Sequence, residues 1–428
     1  MGPRGVVGES RAVTIIPAVV REHVEEVAFL HTLRTSLTRA PHVKLRDVAG
    51  FDERLAAHHD GLSVAGEYGW LFCDVALETP SSGTVFTSAV RAIEEKQQQR
   101  IDRCLALAHA VPESRPGLTS AFGWLGGEHL EGVVASLLGS SDPFRRMIGV
   151  TACALHRVDP GLVSARRILD ASSAVRARAL RTAGEIGCDD ARAVCVAGSR
   201  DDDPECGLWA AWSSVLLGHR GEALDRLTEA GLAIGPHRAR AYRLALQAMN
   251  ASAAHEVLRG LAKTPEQLRW LIQGTGVAGD PVYSAWLIGQ MADAKIARLS
   301  GEAFTLITGV DLSQSHLEGE KPEGFESGPN DEPDDPNVDM DPDESLPWPD
   351  QKKVENWWAA NSSRFQKGQR YFMGAPVTRE HCIDVLKNGY QRQRILAAHY
   401  LCLLEPGTPL FNTSAPAWRQ QKLLAQME

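Results

Sequence analysis

Nothing in the 428 residues approaches the run of roughly 18–20 apolar side chains needed to cross a bilayer. The apolar patch from Val13 to Val20 is broken by Pro17 and soon gives way to charge, which argues against a secretory leader. The opening "MGPRGV" lacks Ser or Thr at its sixth position, so myristoylation is not expected. The eight cysteines are scattered with no C-x-x-C among them, and most fall in apolar helical context. That usage points to buried thiols in a reducing compartment, and the expected location is cytoplasmic.

Catalytic signatures are missing as well. There is no G-x-S-x-G, no P-loop, no H-E-x-x-H and no Cys/His pair with metal-ligand spacing. "GVAGDP" has glycines but no strand before it, so it is not a dinucleotide fingerprint. His58, His59 and Asp60 adjoin, but neighbouring helical residues point about 100° apart and do not converge on a metal. These histidines read better as a helix end, where imidazolium suits the C-terminal dipole. The expectation is a protein without enzymatic activity, cofactor or metal.

What the chain does have is a concentrated acidity. Its net charge is −9, yet Glu318 to Asp350 alone carries thirteen acids against Lys321. The remainder is therefore close to neutral. Within this stretch "GPNDEPDDPNVDMDPDESLPWPD" supplies Asp331, Glu332, Asp334, Asp335, Asp339, Asp341, Asp343, Glu344 and Asp350, with Glu326 just ahead. It begins like a calcium loop at "DPNVDMD", but Met340 and Leu346 stand where an EF-hand needs Gly and Glu. Prolines 329, 333, 336, 342, 347 and 349 block helix and strand ladders. Low hydrophobicity and high charge predict a disordered insertion that buries little. It is either a plain solvated linker or a contact for a basic surface.

The second positive feature is repetition. Six small, apolar helices recur between about 125 and 312, at spacings of roughly 29–32 residues. They begin "RMIGVTACALHRVDP" (Arg146), "RALRTAGEIGCDDA" (Arg178), "GLWAAWSSVLLGHRG" (Gly207), "RAYRLALQAMNA" (Arg240), "RWLIQGTGVAGDP" (Arg269) and "RLSGEAFTLITGVDL" (Arg298). Each follows a shorter helix and a polar break, the pattern of stacked helix pairs. Breaks such as "SSDP", "DDDP" and "AGDP" offer an N-cap acceptor followed by Pro. Ala152, Ala183, Ala211 and Ala245 would let neighbours approach closely. Trp209, Trp212, Trp357 and Trp358 read as inter-helix packing.

The predicted fold is all-α: a HEAT-like α-solenoid with helical domains at both ends and the acidic insertion. The expected domains are an N-terminal helical domain (1–115), the repeats (116–312), the insertion (313–349) and a C-terminal helical domain (350–428). In the first domain, Asp52 is expected to cap a helix whose face carries Leu55, His58 and Leu62 and which Gly61 ends. A second helix is expected over Ser88 to Ala110. Asp350 should cap a helix in "DQKKVENWWAANSSRF", followed by a β-like link in "GQRYFMGAPVT" and three more helices that resume or cap the stack.

Several segments carry a resemblance. "FDERLAAHHDGL" (51–62), "GDPVYSAWLIGQMADAKIARLSGEAFTLITGVDL" (279–312), "VENWWAANSSRFQKGQRYFMGAPVT" (354–378), "LKNGYQRQRILAAHYLCLL" (386–404) and "APAWRQQKLLAQ" (415–426) are similar to a bacterial family of HEAT-like repeat proteins. Its members are often encoded beside type VI secretion components and their toxins. The likeness runs from about residue 40 to the C-terminus. His59 stands where an aliphatic residue is usual, and Ser284–Ala285 where "VPW" is usual. The resemblance implies an immunity protein of the TsiT type, which binds a cognate toxin, or alternatively an adaptor that loads an effector. The implied partner is a basic type VI effector toxin with a nuclease domain, not nucleic acid and not a membrane. Glu326, Asp331, Glu332, Asp334, Asp335, Asp339, Asp341, Asp343 and Glu344 are then the expected contacts, with apolar contacts on the concave face of the repeats.

Overall fold

The computed structural model describes residues 15–159, 169–329 and 340–427. Among these the chain is nearly all helix. In order, the helices are α1 (Pro17–Leu37), α2 (Leu45–Val64), α3 (Glu67–Ala76), α4 (Ser82–Glu94), α5 (Gln98–Ala110), α6 (Arg115–Trp124), α7 (Gly127–Leu130), α8 (Val133–Gly139), α9 (Pro143–His156), α10 (Ser173–Ile186), α11 (Arg192–Gly198), α12 (Pro204–Leu216), α13 (Glu222–Leu232), α14 (Arg238–Ala248), α15 (Ala251–Leu261), α16 (Leu268–Ala278), α17 (Ser284–Gln290) and α18 (Ala297–Thr308). After the acidic stretch come α19 (Gln351–Asn361), the hairpin β1 (Tyr371–Phe372) and β2 (Ala375–Pro376), then α20 (Arg379–Asn388), α21 (Gln391–Leu404) and α22 (Ala417–Leu424). Packing divides the chain into two compact units, Met1–Ser36 with Ala49–Val133, and Leu37–Val48 with Val134–Glu428. Helices α19 to α22 belong to the same unit as α9 to α18.

In the first unit, backbone approaches backbone. A Cβ on Gly117 of α6 would lie 1.8 Å from the Ser82 carbonyl oxygen of α4. Trp70 lies between the guanidinium groups of Arg91 and Arg100, at 4.4 and 3.9 Å, and its Nε1 donates to Glu95. Several expectations fail here. Asp52 is not a cap, because α2 starts at Leu45; it is a buried mid-helix residue paired with Arg34, and Gly61 lies inside the helix rather than at its end. His58 and His59 are therefore also interior to α2, with His58 against His23 at 3.0 Å and His59 buried. The expected helix from Ser88 to Ala110 is two helices, because Lys96 takes a left-handed conformation (φ 54°) between α4 and α5.

In the second unit the six recurring helices are α9, α10, α12, α14, α16 and α18, and each packs on the next. Partner helices precede five of them: α8, α11 and α17 are shorter than the helix that follows, and α13 and α15 match theirs in length. The partner position before α10 falls at residues outside the description. Asp142 and Asp203 cap α9 and α12 with Pro at the first helical position, as their sequence requires. Asp280, in the third such break, instead caps a short 3₁₀ turn ahead of α17. Trp209 and Trp212 are buried and meet edge to face, and Trp357 and Trp358 pack on Phe304. Seven of the eight cysteines are buried.

The C-terminal helices do not simply extend the row. The last turn of a helix leaves carbonyl groups without partners, and the segment after α19 supplies donors to them. Arg370 donates to Leu246 and Met249 (2.9 Å each) and Gln247 at the end of α14, and to Ala278 (3.0 Å) at the end of α16. The backbone then continues the pattern: Tyr371 N–H bonds Gly279 O, Met373 N–H bonds Leu306 O, and Gly374 N–H bonds Ile307 O. Gly279 and Gly309, both at positive φ, permit this approach, since a Cβ there would fall 2.1 and 2.4 Å from the Tyr371 and Met373 oxygens. Helix α21 lies against α12 and α14 and is buried on nearly every side. Further on, Leu410 N–H reaches Glu185 O, and Arg157 of the α9 cap donates to Leu410 O at 2.6 Å. The side of α12 and α14 that meets α21 is thus covered by the chain's own C-terminal part.

Candidate protein-interaction site

The acidic insertion departs from the second unit just after α18 and returns at α19. Its two ends are tied together. Gly319 N–H donates to Trp348 O and Asp350 N–H to Leu317 O, both at 2.8 Å, forming a bridge between Glu318 and Pro349. Asp350 then caps α19, accepting from Lys353 N–H at 3.0 Å, as its position in sequence predicts.

Arginines from the recurring helices hold the descending limb. Arg298 of α18 lies 4.4 Å from the Trp348 ring and 5.6 Å from Phe325, and these two rings meet edge to face. The same guanidinium donates to Asp341 Oδ2 at 2.5 Å and to the Asp343 carbonyl at 3.0 Å. Arg269 of α16 grips the Asp343 carboxylate with two nitrogens, at 2.9 and 2.7 Å. Arg392 of α21 joins Glu302 of α18 (2.9 Å) to the Pro342 carbonyl (3.0 Å). Burial alone would raise the Asp341 carboxyl; the Arg298 hydrogen bond, the Asp343 N–H and the Arg298 charge outweigh it and hold the group below its usual range. Burial pushes Glu302 up, although Arg392 opposes it.

The expected contact residues therefore separate. Asp341 and Asp343 are internal anchors, the latter buried, so this limb does not stand free as a segment that buries little. Leu346 is buried beside them. Glu326 and Glu344 are exposed, as are Glu320 and Glu323. None of these four has an ion pair among the described residues. Asp331, Glu332, Asp334, Asp335 and Asp339 lie outside the described residues. The sequence could not sort these acids, because the arginines that bind two of them sit in α16 and α18.

Two clefts adjoin the insertion. One, of about 420 Å³, lies between Arg298, Phe325, Met340, Glu344 and Trp348. The other, of about 370 Å³, runs between Glu302, Asp311, Leu346, His381, Tyr390 and Arg392. Elsewhere His255 bridges Asp280 (3.0 Å) and the Tyr283 hydroxyl (2.7 Å), a relay-like arrangement that the sequence reading missed. Asp280 is already engaged by Val282 and Gly368 N–H groups, so it ties the segment after α19 to the repeats. Burial raises the Tyr283 phenol to about 12, which leaves it a donor rather than a nucleophile at neutral pH.

No family model matches the chain, and no curated protein or solved structure matches it either.

Proposed function

We propose that this chain is an immunity protein of a type VI secretion system, a HEAT-like α-solenoid that neutralises a basic, nuclease-type toxin in the cytoplasm by stoichiometric contact. The observation behind this reading is the sorting of the acidic insertion. Asp341 and Asp343 fix it to the repeats, and Glu320, Glu323, Glu326 and Glu344 are left exposed with no ion pair among the described residues. A nuclease binds phosphates with Lys and Arg, and exposed carboxylates complement that surface and accelerate encounter. The row of stacked helices supplies a large, preorganised surface for the rest of the contact. Catalysis has no role in this mechanism. Inhibition follows from occupancy alone.

The test is co-expression with each effector toxin of the host's type VI clusters. Survival of cells that make a toxin together with this chain, and a one-to-one complex on co-purification, are the expected results. Unchanged killing by every toxin, with secretion abolished when the chain is deleted, would replace this reading with an effector-loading adaptor.

A further inference from the structure

Helices α10, α12 and α14 are consecutive members of the recurring row and present matched pairs one turn apart. The pairs are Arg178 and Arg181 on α10, Trp209 and Trp212 on α12, and Arg240 and Arg243 on α14. On α10 the charges are answered within the helix. Glu185 accepts from Arg178 and from Arg181, the latter at 2.9 Å. The residue of α14 at the same step beyond its arginines is Gln247, not a carboxylate. Its amide is committed elsewhere, to Leu396 O and to His399, at 3.0 Å each. So α14 keeps the two cations and lacks the counter-ion.

Their surroundings add positive charge. Arg181 and Arg240 both lean on the Trp209 ring, at 4.6 and 5.2 Å. Arg39 is close enough for its charge to act on both Arg240 and Arg243, and Arg392 acts on Arg243. The nearby carboxylates are Glu185, bound by Arg178 and Arg181, and Glu302, bound by Arg392. The Arg240 guanidinium has no hydrogen-bond or ion-pair partner among the described residues, and that of Arg243 donates only through Nε to Ala239 O in its own helix. Both side chains remain partly open to solvent. Burial first, and the Arg181 charge next, bring Arg240 down to about 9. An arginine so placed gains by binding an anion.

We propose that Arg240 and Arg243, with Arg39 and Arg181 beside them, form a binding site for a phosphate group. The choice of phosphate follows from charge and geometry. The internal carboxylates that do meet arginines here are each taken: Asp343 serves Arg269, and Glu185 serves Arg178 and Arg181. Among the described residues, Arg39, Arg240 and Arg243 have no ion pair with a carboxylate. A carboxylate brings one negative charge; a phosphate ester brings close to two and three terminal oxygens, which suits a group of several planar forks. This site is separate from the acidic insertion and does not depend on the toxin reading.

The experiment is calorimetric titration of the full chain with inorganic phosphate and with pyrophosphate at low ionic strength. One saturable site is expected. Arg240→Gln and Arg243→Gln should each weaken it at least about tenfold, the size expected for one charge-assisted contact. Gln247→Glu should abolish binding by supplying the counter-ion that α10 already has. Where that buried change prevents folding, Arg240→Gln decides alone, being a partly exposed site. Absence of binding by either anion at millimolar concentration, or wild-type affinity in Arg240→Gln, would overturn the proposal. Binding of a polyglutamate peptide that phosphate cannot displace would overturn it too, and would assign the site to an acidic protein segment.

Discussion

Arg269 and Asp343 are joined by two hydrogen bonds of 2.9 and 2.7 Å although 74 positions separate them in the chain. Asp343 is buried while its partner keeps part of its surface in water. With Arg298 and Asp341 one helix further on, this pair fastens the acidic insertion to the repeats. Asp343→Asn removes the charge and leaves a half-buried guanidinium poorly matched, at a cost of about 1–3 kcal/mol. Urea unfolding of the variant should show it, and Glu344→Gln should stay within about 0.5 kcal/mol of wild type. Equal stability of the two variants would remove the distinction between anchor and exposed acid.

The exposed acids should govern encounter rather than folding. Replacing Glu320, Glu323, Glu326 and Glu344 together with Gln is expected to slow association with the proposed basic toxin several-fold and to flatten its dependence on salt. Stopped-flow mixing across a salt series measures both. An unchanged rate and slope would leave the acidic insertion a passive linker and move the contact surface to the repeats.

Arg370 answers four carbonyl groups at the ends of α14 and α16. Arg370→Ala strands them, and the expected loss is about 2–4 kcal/mol in chemical unfolding. Arg370→Lys should recover only part, because an ammonium on a flexible stem cannot reproduce the planar fork.

Acid should weaken the protein before its carboxylates titrate. Burial, and to a lesser degree the neighbouring Arg34 charge, lowers His31 to about 4. His59 is lowered to about 4 and His399 to about 3, in both cases chiefly by burial. Between these values and the ordinary histidine pKa of about 6.5 the unfolded chain binds more protons than the folded one. Stability therefore falls as pH drops through this window, by up to about 1.4 kcal/mol per pH unit for each histidine. His31 stacks on Phe86 at 4.2 Å, and neither of its ring nitrogens has a hydrogen-bond partner among the described residues. His31→Phe keeps the ring contact and removes the titration, so thermal unfolding from pH 6.5 to 4.5 should lose a slope of up to one proton. An identical pH slope in the variant would place the acid sensitivity elsewhere.

The sequence by itself determined what local chemistry and periodicity control. Asp142, Asp203 and Asp350 followed by their helices, and the recurrence of small apolar segments, were legible because capping and amphipathic spacing act over a few residues. The break between α4 and α5 was not, since Lys96 takes the left-handed turn with neither Gly nor Pro to announce it. Asp52 looked like a cap and is instead the buried partner of Arg34 on the preceding helix. Only the tertiary structure decided which acids are anchors and which face solvent, because that depends on where Arg269 and Arg298 fall relative to Asp341 and Asp343. It also decided that the C-terminal segment serves the ends of α14, α16 and α18. Unpaired carbonyls at helix ends accept from whatever donor the fold brings to them, and a one-dimensional pattern carries no record of which segment that is.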